Sequence, residues 1–365
     1  MRKLRYKVVA LGSLAVILTL LMMTKLSAAS ATTNGFIVEY DIPGNALNLV
    51  VEAPGRVWFT LPESSAIGSL VVTSTVDFTF QQFNTPTANS QPYDLVYDAS
   101  RSVIWFSELA GNRIGRLDMH SGSIQEYPIP TLSSEPTGIA LGPDGTIWFT
   151  ERAGNKLGNF NPNSAIFTEY ALNIANAKPE DIVVQKNGEV WATGPNVHNI
   201  FGFIPASQAI FNVPTSDIFT GVIVEEPWNV MLDSSGVLWV TTRTGNRLGR
   251  FMPGTVTFWR WFAIPTVQSE PTGIAFSVMD GLWRIWFSAG GTGRVGQLTL
   301  RPTGEIVALR QYALPAAHSR PAGLAVDLQG HVWIAESNSQ KIAEWTPPYF
   351  FFVYLSSIFA NNQVS

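Results

Sequence analysis

Short apolar runs separated by turn residues recur along most of the chain. In one representative stretch, residues 137–172, the runs are "TGIAL", "TIWFT", "KLGNF" and "FTEYAL", divided by "GPDG", "AGN" and "NPNS". Runs of this length without a helical period are typical of β-strands. Gly, Asn and Asp readily adopt the positive φ angles that tight hairpin turns require. The pattern predicts an all-β chain of consecutive antiparallel strands.

The strand pattern repeats seven times, with one tryptophan in the same setting in each repeat. These tryptophans lie 43 to 48 residues apart, at Trp58, Trp105, Trp148, Trp191, Trp239, Trp286 and Trp333. Six repeats have a proline upstream, at Pro92, Pro136, Pro179, Pro227, Pro271 and Pro321, and Ala46 takes that place in the first repeat. Four short strands per repeat of this length indicate a seven-bladed β-propeller. We expect each tryptophan to pack between neighbouring blades.

The ends of the repeat region predict how the ring closes. The fourth strand of several repeats ends in a shared phrase, such as "EYPIP" at 126–130 and "QYALP" at 311–315. The same phrase, "VEYDIP" at 38–43, stands before the first repeat, and the seventh repeat lacks it. We therefore expect the N-terminal strand to complete blade seven, which leaves no open sheet edge at the seam. The propeller is predicted to span residues 32–346.

The first 31 residues have the features of a secretory signal. Arg2, Lys3, Arg5 and Lys7 precede an apolar stretch at 8–23, and small residues follow at 29–31. This order predicts a signal peptide at 1–31 and a secreted or cell-surface protein without a transmembrane domain once the signal is cleaved. An uncleaved N-terminal anchor is the alternative, because the apolar run is near the length that spans a bilayer.

Composition narrows the class of partner. The chain has 365 residues, no cysteine and a formal net charge of −4. The absence of cysteine removes thiol chemistry and cysteine-ligated metals without arguing against export. With no basic stripe, a nucleic-acid partner is not expected, and we expect a monomer. An aromatic C-terminal tail, residues 347–365, lies outside the repeats and is predicted as an extra strand or a sorting signal.

Repeats of the form "PTGIALGPDGTIWFTERAGNKLG" resemble those of the streptogramin lyase family over residues 36–346. The resemblance implies a propeller that opens a cyclic depsipeptide antibiotic by β-elimination at its ester bond, with Mg²⁺. It also implies that the chemistry occurs at one mouth of the central channel. There the family uses a histidine directly after the blade proline and a glutamate three residues after the blade tryptophan.

The histidine half of that family pattern is missing from this chain. The residues that follow the proline position are Leu47, Tyr93, Thr137, Glu180, Trp228, Thr272 and Ala322. Because the elimination needs a general base with a pKa near the working pH, this departure favours a binding or interaction protein. The predicted ligand-binding residues are Tyr93, Thr137, Glu180, Trp228 and Thr272. The ligand is expected to be a small molecule, a peptide or a carbohydrate.

The glutamate half of the pattern survives in three blades, as Glu108, Glu151 and Glu336. This favours the alternative, a Mg²⁺-dependent lyase or a lactonase-like hydrolase, with Glu151, Glu336 and His318 as candidate catalytic residues. Glu108, Glu151 and Glu180 are candidate ligands for Mg²⁺ or Ca²⁺, since hard cations prefer oxygen.

Three further interpretations remain open from the sequence. Arg113, Lys156 and Lys341 open the third strands beside the three glutamates, which predicts ordinary cross-strand salt bridges instead of metal ligation. The long loop at 215–228 brings apolar residues to the mouth, as a lid over an apolar or carbohydrate ligand or as a plug. A structural role at the cell surface is a third function, for which the tail is the hint.

Overall fold

The computed structural model of the protein describes residues 35–74, 77–215, 226–254, 259–316 and 318–347. These residues contain 28 β-strands and three 3₁₀ turns, at Pro62–Ser64, Pro195–Val197 and Gly290–Thr292. No helix in this part of the chain is long and apolar enough to cross a membrane. The predicted signal peptide, the tail beyond residue 347 and positions 216–225 of the predicted lid lie outside the described residues.

The first four blades are regular four-stranded sheets in chain order. Blade one contains β2 (Leu49–Ala53), β3 (Arg56–Leu61), β4 (Ala66–Ser74) and β5 (Asp77–Asn84). Blade two contains β6 (Pro92–Asp98), β7 (Val103–Glu108), β8 (Arg113–Asp118) and β9 (Ile124–Pro128). Blade three contains β10 (Pro136–Leu141), β11 (Ile147–Glu151), β12 (Lys156–Asn161) and β13 (Ile166–Ala171). Blade four contains β14 (Ile182–Val184), β15 (Val190–Gly194), β16 (Asn199–Ile204) and β17 (Ala209–Pro214).

The last three blades complete the ring and confirm the predicted closure. Blade five contains β18 (Pro227–Leu232), β19 (Leu238–Thr242), β20 (Arg247–Phe251) and β21 (Arg260–Ala263). Blade six contains β22 (Pro271–Met279), β23 (Leu282–Ala289), β24 (Arg294–Leu300) and β25 (Ile306–Ala313). Blade seven contains β26 (Pro321–Val326), β27 (Val332–Glu336), β28 (Lys341–Thr346) and the N-terminal β1 (Phe36–Asp41). Strand β1 pairs antiparallel with β28, so the two ends of the propeller share one sheet.

The repeated tryptophans pack between blades, as the sequence predicts. Trp105 of blade two packs against Phe160 of blade three, with ring centroids 5.8 Å apart. Trp148 of blade three packs in the same way on Phe203 of blade four, at 5.7 Å. Both rings are almost fully buried, and aromatic pairs of this kind contribute beyond the area they bury. The tryptophan setting is therefore a structural feature of the blade.

A glycine in the third strand lets several blades close tightly. Gly158 of β12 lies opposite Phe149 of β11, and a Cβ atom at Gly158 would come within 2.0 Å of the phenylalanine ring. The corresponding glycines of blades one, two and six, Gly68, Gly115 and Gly296, face a phenylalanine in the same way. The recurring Leu-Gly and Ile-Gly pairs thus leave space for a buried ring.

The asparagine of the "AGN" turn ties one blade to the loop that leads into the next. Asn112 has φ 56°, a left-handed conformation that asparagine tolerates. Its amide donates to the Thr131 carbonyl at 2.9 Å, and its side-chain oxygen accepts from the Ser134 amide at 2.7 Å. Asn155 repeats these bonds with Ile174 and Ala177. These turns fix the loops that surround one mouth of the channel.

Candidate functional site

A bulge follows the blade proline in five of the seven blades. In blade three, Pro136 pairs with Glu151, but pairing resumes only at Ile139, opposite Phe149. The same shift occurs in blades two, five, six and seven. An extra residue of this kind bends the strand and re-aims its side chains. The residues just after the proline therefore gather around one cavity of about 310 Å³ at the channel mouth.

Four of the five predicted ligand-binding residues line this cavity: Tyr93, Glu180, Trp228 and Thr272. Thr137 does not, and it is fully buried. Its hydroxyl lies 2.8 Å from the Thr150 hydroxyl and donates to the Pro179 carbonyl at 3.2 Å. Because of these contacts, the Thr137 side chain points into the interface between blades three and four and away from the cavity.

Tyr93 and Glu180 form a buried pair at the mouth. The Tyr93 hydroxyl donates to Oε1 of Glu180, and Nε of Arg152 lies 3.7 Å from Oε2. Burial raises the pKa of Glu180, while the Tyr93 hydrogen bond and the Arg152 charge oppose that rise. Burial, followed by the Glu180 charge, raises the pKa of Tyr93 well above its ordinary value. The phenol therefore stays protonated and acts as a hydrogen-bond donor.

The residues that directly follow this pair in the chain, Asp94 and Asp181, line the cavity and also join blades. Asp94 accepts from the Ile139 amide of blade three at 3.1 Å, and Asp181 accepts from the Val230 amide of blade five at 2.8 Å. Burial is the main cause that raises the pKa of Asp94 to about 7 and that of Asp181 well above its usual range. The wall formed by blades two and four is therefore rich in carboxyl groups.

The opposite wall carries arginines. Arg243 lies over the Trp228 ring, with its guanidinium carbon 4.8 Å from the ring centroid. Nη2 of Arg243 and Nη2 of Arg320 each lie 3.8 Å from the same oxygen, Oε2 of Glu270. All four of these side chains line the cavity. The cavity lining therefore carries carboxyl groups on blades two, four and six and guanidinium groups on blades five and seven.

The three glutamates that match the family pattern lie outside this cavity. Glu108, Glu151 and Glu336 are fully buried, and none belongs to the cavity lining. Burial is the main cause that raises their pKa values to about 8, 7 and 8, respectively. Oε2 of Glu151 lies so close to the following turn that a Cβ at Gly154 would come within 2.9 Å of it. These carboxyl groups are enclosed by their own blades.

The predicted cross-strand salt bridges form with different partners. Glu151 does lie opposite Lys156, but Nζ of Lys156 contacts Oε2 of Glu169 on the fourth strand at 2.8 Å. Arg113 and Lys341 likewise pair with fourth-strand carboxylates, those of Glu126 and Asp41. Glu169 remains partly solvated, so pairing with it costs less desolvation than pairing with the fully buried Glu151. The sequence register was right and the predicted partner was wrong.

The residues proposed as metal ligands do not fit a metal site. Within the described ranges, no group of three or more His, Asp or Glu side chains has an arrangement that could hold a metal ion. Glu108 and Glu151 are enclosed in their own blades, whereas Glu180 lies at the mouth. We therefore derive no step that depends on Mg²⁺ or Ca²⁺.

His318 lines a second cavity, of about 400 Å³, beside the first. Glu270, Gly290, Arg320 and Asn338 belong to the lining of both cavities. Glu336 is not among the residues of either lining, so His318 and Glu336 do not share a cavity. Glu336 instead accepts a hydrogen bond at Oε2 from the Ser339 hydroxyl, at 2.5 Å.

Sequence reasoning missed Arg243, Glu270 and Arg320. Arg243 stands four residues after the blade tryptophan, and Glu270 and Arg320 directly precede a blade proline. Each is one position away from a position that the repeat pattern singled out. Considering the neighbours of those positions as well would have found all three.

Comparison with known proteins places these features in a family. A model described as the virginiamycin B lyase family matches residues 15–284. A virginiamycin B lyase from Nocardia farcinica (strain IFM 10152) is 30% identical over 129 residues, which are 34% of this chain and 44% of that relative. The matched segment thus spans less than half of that relative's length.

Solved structures of this class share the fold. A streptogramin B lyase structure superimposes with a TM-score of 0.75 and 24% identity, covering 87% of this chain and 99% of that one. A catalytically inactive histidine-to-alanine variant of virginiamycin B lyase from Staphylococcus aureus, solved with quinupristin, gives 0.73 and 25% identity. That match covers 85% of this chain and 98% of the other.

Proposed function

The chain belongs to the virginiamycin B lyase family, and we propose that it is a ligand-binding member of that family that lacks the histidine-based lyase reaction. The proposal rests on one observation about the mouth. The positions where the resemblance predicts histidine carry Tyr93 and Glu180, and these two side chains hydrogen-bond to each other. The remaining side chains at these positions are threonine, tryptophan, leucine and alanine.

This set of side chains suits binding better than proton transfer by an imidazole. A general base must present a free accepting atom whose pKa lies near the working pH. Burial keeps the pKa of Tyr93 far above that range, and Thr137 is enclosed between blades. Leucine, alanine and tryptophan side chains have no basic atom. Most of the residues that follow the blade proline can therefore contact a ligand but cannot act as a general base.

The size and lining of the cavity indicate the kind of ligand. About 310 Å³ is near the lower end of small-molecule sites. Tyr93 and Trp228 supply aromatic surface, and arginine and carboxyl groups supply polar contacts. A small molecule, or one residue of a peptide or carbohydrate, matches this volume.

The direct test is incubation of the purified full chain with a streptogramin B and Mg²⁺, followed by mass detection of the linear product. An active virginiamycin B lyase serves as the positive control. We expect the cyclic compound to remain intact. Rapid Mg²⁺-dependent linearisation by this chain would overturn the proposal.

The alternative, a lyase or lactonase-like hydrolase, has one specific observation in its favour. Glu180 occupies a post-proline position, lines the cavity, and its Oε2 accepts no hydrogen bond from the described residues. Burial raises its pKa, and the Tyr93 hydrogen bond and the Arg152 charge oppose that rise. If activity is found, Glu180→Gln should abolish it. Glu151→Gln, Glu336→Gln and His318→Ala test the residues predicted from the sequence.

We also propose that the protein is exported, as its signal-like N-terminus suggests, and that it is a monomer. Intact mass of protein secreted by an exporting host should correspond to a chain that begins near Thr32. Uncleaved protein that keeps residues 1–31 and is found in the membrane fraction would support the N-terminal anchor instead.

Added Mg²⁺ or Ca²⁺ is not expected to raise the unfolding temperature of the protein.

A further inference from the structure

We propose that Arg243 and Arg320 form an anion-binding site for a carboxylate of the ligand, and that Glu270 occupies this site in the free protein. The inference rests on the proposed binding function, because it gives the ligand of the same mouth a chemical class. Three successive blades supply the three side chains: Arg243 from blade five, Glu270 from blade six and Arg320 from blade seven.

The two guanidinium groups converge on a single point. Both Nη2 atoms lie 3.8 Å from Oε2 of Glu270. None of the three side chains makes a hydrogen bond to another described residue, so this contact is purely ionic. The side chains of Arg243, Glu270 and Arg320 are 32%, 45% and 59% exposed, respectively. A carboxylate therefore already sits between two arginines that solutes can reach.

The backbone and one aromatic ring hold the arginines in place. Arg243 lies over Trp228, and its amide donates to the Glu226 carbonyl at 3.1 Å. The Arg320 carbonyl accepts from the Ser337 amide at 3.2 Å and from the Ser337 hydroxyl at 2.8 Å. The backbones of both arginines are thus fixed, and the Trp228 ring also positions the Arg243 guanidinium.

Blade six carries two glycines, Gly290 and Gly291, beside Glu270. The backbone packs closely there, because a Cβ at Gly290 would lie 3.2 Å from the Pro321 carbonyl oxygen and one at Gly291 would come within 2.2 Å of the Gln268 carbonyl oxygen. In blades three and five, the position of Gly290 holds Arg152 and Arg243. Because blade six has no side chain there, the central and second cavities adjoin at Gly290 and Arg320, whereas Arg243 lines only the central cavity. An anion held at Arg320 can extend into either cavity.

Glu270 is held far less firmly than the other mouth carboxylate. Glu180 is 3% exposed and accepts a hydrogen bond from Tyr93, whereas Glu270 has only two ion pairs of 3.8 Å in a partly exposed setting. Exposed pairs without hydrogen bonds are weak. A free carboxylate can approach a guanidinium to about 2.8 Å and bind it through two parallel hydrogen bonds. A ligand carboxylate can therefore displace Glu270.

The test is a titration of the full chain with benzoate, an aromatic carboxylate, and with benzamide, its neutral analogue. Ligand-observed NMR detects binding. Tryptophan fluorescence is measured in parallel, and the part of its change on binding that is lost in Trp228→Phe reports binding at the mouth. We expect saturable binding of benzoate and about tenfold weaker binding of benzamide. Arg320→Gln and Arg243→Gln should each weaken benzoate binding about tenfold.

The decisive variant is Glu270→Gln, which removes the internal competitor. We expect it to tighten benzoate binding about threefold to tenfold. Glu135→Gln is the matched control, because Glu135 precedes the proline of blade three just as Glu270 precedes that of blade six. It should leave benzoate affinity unchanged.

Two outcomes contradict the inference. One is benzoate binding that Glu270→Gln leaves unchanged or weakens, and the other is benzoate that binds no better than benzamide. Thermal unfolding shows whether each variant is folded. If Arg243→Gln does not fold, the Arg320→Gln variant alone tests the anion site, because Arg320 is exposed. Saturable binding of neutral compounds at Trp228 without any preference for anions would refute the anion site and leave the proposed binding function intact.

Discussion

Replacing Tyr40 by phenylalanine tests how the ring is closed. Tyr40 lies in β1 and is almost fully buried, and its hydroxyl donates to Oε2 of Glu344 on β28 at 2.6 Å. The other oxygen of Glu344 lies 2.6 Å from Nδ1 of His331. The substitution keeps the ring, which packs on Phe78 and Trp333. It therefore removes one hydrogen bond and leaves a buried carboxylate oxygen without that donor.

The expected loss follows from the charge of the acceptor. Hydrogen bonds to charged groups contribute about 1.5–3 kcal/mol, so Tyr40→Phe should reduce the free energy of unfolding by about 2 kcal/mol. The assay is equilibrium urea unfolding followed by tryptophan fluorescence. Tyr127→Phe is the matched control: Tyr127 occupies the same place in the phrase "EYPIP" of blade two, and its hydroxyl has no hydrogen-bond partner among the described residues.

The pH dependence of the seam gives a second measure. Burial lowers the pKa of His331, but the hydrogen bond and charge of Glu344 and the charge of Asp327 outweigh it, so the pKa is raised. The stabilisation by His331 is therefore fully present below its ordinary pKa of 6.5 and is lost as the pH rises through the higher folded value. The difference in free energy of unfolding between wild type and His331→Gln should therefore shrink as the pH rises.

If Tyr40→Phe lowers the free energy of unfolding by no more than Tyr127→Phe does, this account of ring closure is refuted.

Two further predictions concern the interior of blade three. Gly158→Ala should destabilise the protein by about 1–3 kcal/mol in urea unfolding, because the new methyl group meets Phe149, and Phe149→Leu should recover part of that loss; additive effects would contradict the contact. Glu151→Gln should flatten the pH dependence of unfolding, because the pKa of Glu151 is raised from 4.5 to about 7. The stability advantage of its neutral form is complete below pH 4.5 and is lost as the pH rises through about 7. The variant should therefore gain on wild type above neutrality, and equal slopes with pH would refute this.

The fold was predictable because each structural device is repeated. Every blade needs a large ring between itself and its neighbour, and the tryptophan spacing reports that need seven times. The asparagine turn and the third-strand glycine recur for equally local reasons. Ring closure was also readable, since "VEYDIP" stands where no blade precedes it. A pattern repeated in this way identifies an element even when one copy is degenerate, as at Ala46.

The site was only partly predictable, because burial at equivalent positions differs between blades. Thr137 and Thr272 follow equivalent prolines, yet Thr137 is buried and Thr272 lines the cavity. The difference lies in the neighbouring blade: the Pro179 carbonyl and the Thr150 hydroxyl hold the side chain of Thr137. Lys156 likewise pairs with Glu169 on the fourth strand. The register of the second and third strands alone does not show that this carboxylate is near.

The residues that repeat and the residues that line the mouth are therefore different sets. The position four residues after the blade tryptophan holds Pro62, Leu109, Arg152, Pro195, Arg243, Gly290 and Ser337. No common backbone requirement selects such a set, so its members are free to differ in charge and size. Arginine at one of these positions, next to a glycine in the following blade, creates both a cationic group and the space beside it. In this propeller the repeat therefore reports the blades, and the departures from it at the mouth are the residues on which the proposed binding depends.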